Sequence, residues 1–238
     1  MDRRTAAFAF AALTAAAALS LAGGDAAAER KFTDRFDEHE WASAGENPYF
    51  VLRPGHTLTL EGVEDGEDVV LTITVLEETK VIDGVETRVV EERETEGGEL
   101  AEVSRNYFAI SKRTSGVYYF GEDVDEYDDG KVSGHPGSWH SGEKGAKFGL
   151  MVPCVALVGS RYHQEVAPGT AMDRAEILSI DERFECRAGA FERCLLTQES
   201  TPLEPKAVES KVYAPGVGLV QDGVLRLTAI RRAPAEKR

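Results

Sequence analysis

Val69-Val70-Leu71-Thr72-Ile73-Thr74-Val75-Leu76 decides the fold class. Its β-branched residues suit a pleated backbone, and threonine alternates with aliphatic side chains, so one face of this strand is apolar and the other wet. Asp83-Gly84 follows, a pair suited to the left-handed conformations of a two-residue hairpin turn, and it returns the chain as Val85–Thr95. The same grammar continues outward. Gly97-Gly98, Ser115-Gly116 and Asp129-Gly130 bound strands over Leu100–Lys112 and Val117–Tyr127. Arg161–Val166, Ala175–Cys186, Phe191–Ser200, Ala207–Tyr213 and Val224–Ile230 read as further strands, with turns at Ala188-Gly189 and Asp222-Gly223. Turn signals roughly every 10–15 residues, with connections too short for parallel crossovers, predict an all-β protein built as a single antiparallel meander of about ten strands.

Around this body the chain divides plainly. Residues 1–28 have the form of a signal peptide: Arg3 and Arg4, an uncharged Ala/Leu/Phe stretch from Thr5 to Leu21, and Ala26-Ala27-Ala28 before a cleavage point. An uncleaved anchor is the rival, weakened by the alanine content. Residues 29–46 form a polar N-terminal arm, 47–232 the β domain and 233–238 a frayed tail. Within the domain, 133–160 is rich in Gly, Pro and Ser and carries no strand signature, which marks a functional or mobile loop. No later segment is apolar enough to span a membrane as a helix after signal cleavage. The expected location is outside the cytoplasm, periplasmic or extracellular, by the general or the twin-arginine route. The net charge of −15 argues against a nucleic-acid partner, which needs basic patches to displace counterions.

Few residues point to chemistry. Cys186 and Cys194 flank a short hairpin. If it is centred on Ala190 they stand opposite each other, where Cβ atoms about 4.5–5.5 Å apart can form a disulfide staple. Cys154 lies in the apolar run Leu150–Val155 and is expected to be a buried, inert thiol. His135, His140 and His163 with Glu165 are the candidate metal ligands, although no paired motif supplies a full set. Gly121–Gly130 holds six acids in ten residues, so Asp123 and Asp125 are candidate calcium ligands. Asp128 stands where an EF-hand loop needs glycine, and a solvated acidic edge is the plainer reading. Ser141-Gly142-Glu143-Lys144 has the Ser-x-x-Lys spacing without the helix that would align it. Tyr107, Tyr119, Trp139 and Tyr162 are the candidate ligand-lining aromatics, with packing in the core as the competing role.

Asn47-Pro48-Tyr49-Phe50, Phe120-Gly121-Glu122-Asp123, Tyr162 with Gln164-Glu165, and Tyr213-Ala214-Pro215-Gly216-Val217-Gly218-Leu219-Val220 occur in this order. In these segments the chain resembles a family of exported bacterial β proteins. The resemblance implies a curved sheet, half-barrel or open barrel, and carries over no catalytic residue. Together these features predict a non-catalytic envelope or extracellular protein without a cofactor, binding an apolar small ligand or an envelope partner on its curved sheet. The alternative is a secreted metal-dependent hydrolase or calcium-binding protein.

Overall fold

A computed structural model describes residues 40–232. The signal peptide, the first part of the arm and the tail lie outside the described residues. Eighteen strands and no helix occur among the described residues. They are β1 (Trp41–Ala42), β2 (Gly45–Asn47), β3 (Phe50–Leu52), β4 (Thr57–Glu64), β5 (Glu67–Ile82), β6 (Val85–Glu96), β7 (Glu99–Ser111), β8 (Val117–Asp128) and β9 (Lys131–Gly134), then β10 (Trp139–His140), β11 (Lys147–Val152), β12 (Arg161–His163), β13 (Glu165–Val166), β14 (Arg174–Cys186), β15 (Gly189–Ser200), β16 (Val208–Ala214), β17 (Gly218–Asp222) and β18 (Leu225–Arg231).

Sixteen of these form one antiparallel sheet in the order β12-β14-β15-β16-β17-β18-β4-β5-β6-β7-β8-β11-β13, with β1, β9 and β10 bonded at its flanks. The two ends of that order are one piece of chain. Tyr162 in β12 pairs with Ala175, Gln164 intervenes, and Glu165 in β13 pairs with Phe148 of β11. The segment 161–166 thus hands the sheet from β14 to β11, and the sheet is nearly a barrel. The fold exceeds the expected ten strands because β1 to β4 precede the first expected strand, β9, β10 and β11 are short strands in or beside 133–160, and 161–166 is divided between β12 and β13.

Tight turns set the register. Asp83 and Gly84 have φ of 50° and 77°, the conformation a mirror-image turn needs between the paired residues Ile82 and Val85. One end of the curl is closed by the β2–β3 hairpin. Gly216 N donates to Pro48 O at 2.8 Å, and the ring of Phe50 lies 5.0 Å from that of Phe108. Asn47 is 2% exposed; its Nδ2 donates to Ser115 O at 2.8 Å and its Oδ1 accepts from Tyr49 N at 2.8 Å. Asn47→Ala strands both partners, and should cost about 1–2 kcal/mol in a urea denaturation series. The described part of the arm is tied down as well, since β1 pairs with β7 and Trp41 meets Tyr118, Phe120 and Phe148 edge-on.

The expected disulfide is corrected. Cys186 pairs with Gly189, which centres the hairpin on Arg187-Ala188, and Cys194 stands opposite Glu182. Because the chain turns there and not at Ala190, Cys186 sits beside the turn while Cys194 lies well out along β15, so the two cysteines are not opposed, and all three cysteines are free thiols. Cys154 is half-buried, not enclosed, and leads into a loop where Val155, Leu157 and Val158 are exposed.

Candidate functional site

Side chains from most strands of the ring converge inside the curl. Along β6 the inward positions are Val90 and Glu92; along β7 they are Ser104, Asn106 and Phe108. The period of two therefore carries one strand from an apolar wall to an acidic one. Two adjoining cavities result. The smaller, about 80 Å³, is lined chiefly by Phe50, Leu58, Ile73, Val75, Val90 and Phe108 near the closed end. The larger, about 220 Å³, is lined by Glu92, Glu102, Glu122, Glu165, Asp173 and Glu199 with Tyr119, Gln164 and Lys211. Glu92, Phe108, Met151 and Lys211 border both. All four segments that carry the family resemblance contribute here, through Phe50, Glu122, Gln164 with Glu165, and Tyr213.

The lumen is short of positive charge. Lys211 is its one cation among the lining residues, and it lies 3.4 Å from Glu199 and 3.2 Å from Asp222. Burial alone would lower the Lys211 ammonium, but Glu199 and Asp222 outweigh it and hold the group well above its usual range. Among the described residues no ion pair reaches Glu92, Glu102, Glu122 or Glu165. Burial, then the charge of Asp173, pushes Glu165 up to about 8, although the Asp173 N–H donated to its Oε1 pulls the other way. Burial pushes Glu122 up to about 7, with the Glu102 charge assisting and the polar groups of Tyr119 and Trp139 opposing. Burial likewise lifts Glu92 to about 7, with Lys211 opposing and Asp222 and Glu122 assisting. These carboxyls act on one another across a space with little solvent to screen them.

Of the aromatic candidates, Tyr119 alone lines the lumen. It stacks on Phe108 at 4.8 Å and donates its hydroxyl to Asn106 Oδ1 at 2.5 Å. Trp139 packs edge-on against it at 5.3 Å. Tyr162 is packed with Val152, Ile177, Leu195 and Tyr213, and its buried hydroxyl has no hydrogen-bond partner among the described residues. Tyr107 faces out of the lumen and donates to Asp123 Oδ2 at 2.5 Å.

The metal candidates fall into separate groups. His135 pairs with Asp125 at 2.8 Å. His140 pairs with Asp123 Oδ1 at 2.9 Å, while Lys80 takes Asp123 Oδ2 at 2.7 Å. Burial raises the Asp123 carboxyl, yet the donors at Lys80 and Tyr107 outweigh it and leave it below its usual value. This cluster satisfies itself and fastens β5 to β8. His163 stands in an outer depression with Arg161 and Arg174, and Glu165 is in the lumen. No group of three or more His, Cys, Asp or Glu among the described residues is placed to hold a metal ion.

Apart from Glu165, named above as a candidate metal ligand, the lumen carboxylates escaped notice because polar positions of an alternating strand normally face water. The available signals were Glu122 and Gln164-Glu165, which stood in the quoted segments. No family model, curated protein or solved structure matches the chain.

Proposed function

We propose that this chain is a non-catalytic binding protein, exported to the periplasm or the extracellular space, that holds a small ligand with an apolar part inside the curl of its sheet. The observation that carries this reading is the apolar cavity beneath the β2–β3 hairpin, continuous in its walls with a larger polar one. A concave, largely preformed chamber with an apolar wall and a few polar groups is the usual form of a small-molecule site. The self-satisfied state of the Asp123 cluster supports a non-catalytic role, since none of its groups is left to act on a substrate. The location rests on the signal-like residues 1–28 and on the resemblance.

The test is calorimetry with three six-carbon probes that differ only in head group: hexan-1-ol, hexylamine and hexanoate. Six carbons suit the two adjoining cavities together, about 80 and 220 Å³, since a dry cavity of about 150 Å³ accepts benzene. At least one probe should bind saturably and one to one, and Val90→Trp, which fills the apolar cavity, should abolish that binding. If none of the three binds, the lumen is not a ligand site.

A further inference from the structure

From the acidic half of the lumen we infer that the ligand is an organic ammonium ion, a primary amine on a short apolar tail. Its N–H groups would be taken by Gln164 Oε1 and the carboxylates of Glu165 and Glu122. This rests on the lumen-binding reading above. Gln164 is 3% exposed, and its Oε1 has no hydrogen-bond partner among the described residues. Its Nε2 donates to Glu199 Oε1 at 2.9 Å and lies 3.5 Å from the sulfur of Met151. That contact fixes the amide, because the reverse orientation sets two acceptors against each other. Gln164 is itself one of the residues that line the acidic cavity. A buried acceptor without a donor is costly, so the site asks for an N–H or O–H from outside the protein.

Charge then selects among donors. Glu165 is 2% exposed, and neither it nor Glu122 is in an ion pair with a base of the described chain. Lys211, the one lysine among the described lining residues, is committed to Glu199 and Asp222. A ligand carboxylate would add repulsion, and an alcohol would satisfy Gln164 while leaving the acids as they stand. An ammonium group supplies three donors and a positive charge to the same point. A bare divalent ion is disfavoured, since no three candidate ligands among the described residues are arranged around one position. The wall shared with Phe108 and Met151 is apolar and gives the tail its place. The carboxyls of Glu122 and Glu165 are raised by burial and then by neighbouring acids, and a cation beside them would favour their ionised forms.

The same three probes test the inference on the full chain, near pH 8.5 where the lumen acids are ionised, with calcium chloride as a fourth titrant. Hexylamine should bind at least about tenfold more tightly than hexan-1-ol, the yield of one charged hydrogen bond, and hexanoate more weakly than either. Gln164→Leu should weaken hexylamine and hexan-1-ol alike, each by about fivefold, since both donate to its oxygen. Glu165→Gln should weaken hexylamine alone. Equal binding of the alcohol or of hexanoate overturns the ammonium inference and leaves the lumen reading intact. Binding of calcium in preference to hexylamine overturns it in favour of a metal. Failure of all three probes overturns both readings. The head-group comparison in the wild-type protein decides the matter even if a variant does not fold.

Discussion

Gly149→Ala is expected to lower the melting temperature by roughly 6–12 °C, the shift that about 3 kcal/mol of overpacking gives a domain of this size. A Cβ at position 149 would lie 2.5 Å from the carbonyl oxygens of both His163 and Gln164 and 2.6 Å from the Gln164 carbonyl carbon. These are backbone atoms, so no side chain can swing aside to make room. They also belong to the segment that hands the sheet from β14 to β11. The alanine therefore presses on the closing seam itself. Relief comes most cheaply by lifting 161–166 away from β11, which takes Gln164 and Glu165 out of the lumen wall. Hydrogen exchange should then quicken across 161–173, and probe binding should fall with it. Gly134→Ala is the control, since its nearest new contact is 3.6 Å from a proline side chain and its cost should stay within about 0.5 kcal/mol. If Gly149→Ala melts with the wild type, the seam is open in solution and the sheet is a half-barrel without an enclosed chamber.

That seam marks the boundary between what the sequence discloses and what it hides. The long hairpins from β5 to β8 were legible because β-branched alternation and Asp-Gly or Gly-Gly turns are local properties, and local properties survive in a linear string. β11, Lys147-Phe148-Gly149-Leu150-Met151-Val152, has one β-branched residue and an interior glycine, which by itself argues against a strand. Its glycine is explained only by the chain that crosses over it, a contact between residues distant from that turn grammar. The pairing of the two cysteines failed for a different reason. The chain turns at Arg187-Ala188, ahead of the Ala190 centre that would oppose them, and neither residue carries the glycine, asparagine or aspartate signature that would mark a tight turn there. The lumen was hidden by a rule that holds for most sheets. Glu92, Glu102 and Glu122 occupy alternating polar positions, and such positions face water when a sheet has one dry face. Here the sheet turns that face inward upon a chamber, and only the curvature implied by the resemblance hinted that an inner face existed.

Acidification from about pH 8.5 to about pH 6.5 is expected to stabilise the protein, by about 3 kcal/mol and roughly 6–12 °C. The sign follows from the lumen carboxyls. An unfolded glutamate titrates near 4.3, so in this window the unfolded chain is already ionised. In the fold, Glu165 stands at about 8, with Glu122 and Glu92 at about 7. A raised folded value means that stability is full below the unfolded pKa and is lost as pH rises through the folded one. Lowering pH through 8 and 7 therefore restores protons to the native state alone. Glu165 contributes most, since it is 2% exposed, whereas Glu92 and Glu122 retain solvent contact and count for less. Below about pH 6.5 the rise should slacken, because His56 begins to oppose carboxyls that go on taking up protons in the fold down to the unfolded value near 4.3. His56, 4% exposed with Nε2 2.8 Å from Val217 O, is held below its usual value by burial, and a depressed base loses stability as it is forced to charge. Glu165→Gln keeps an oxygen for the Asp173 N–H and removes the proton exchange, so it should raise the melting temperature at pH 8.5 and flatten the slope. Saturating hexylamine should flatten it as well, because an ammonium ion among these carboxyls does the work of their protons. A wild-type melting temperature that is level or falls between pH 8.5 and 6.5 would mean that the lumen acids are ionised and paired in the native state, and the chamber would then have no unmet need for a cation.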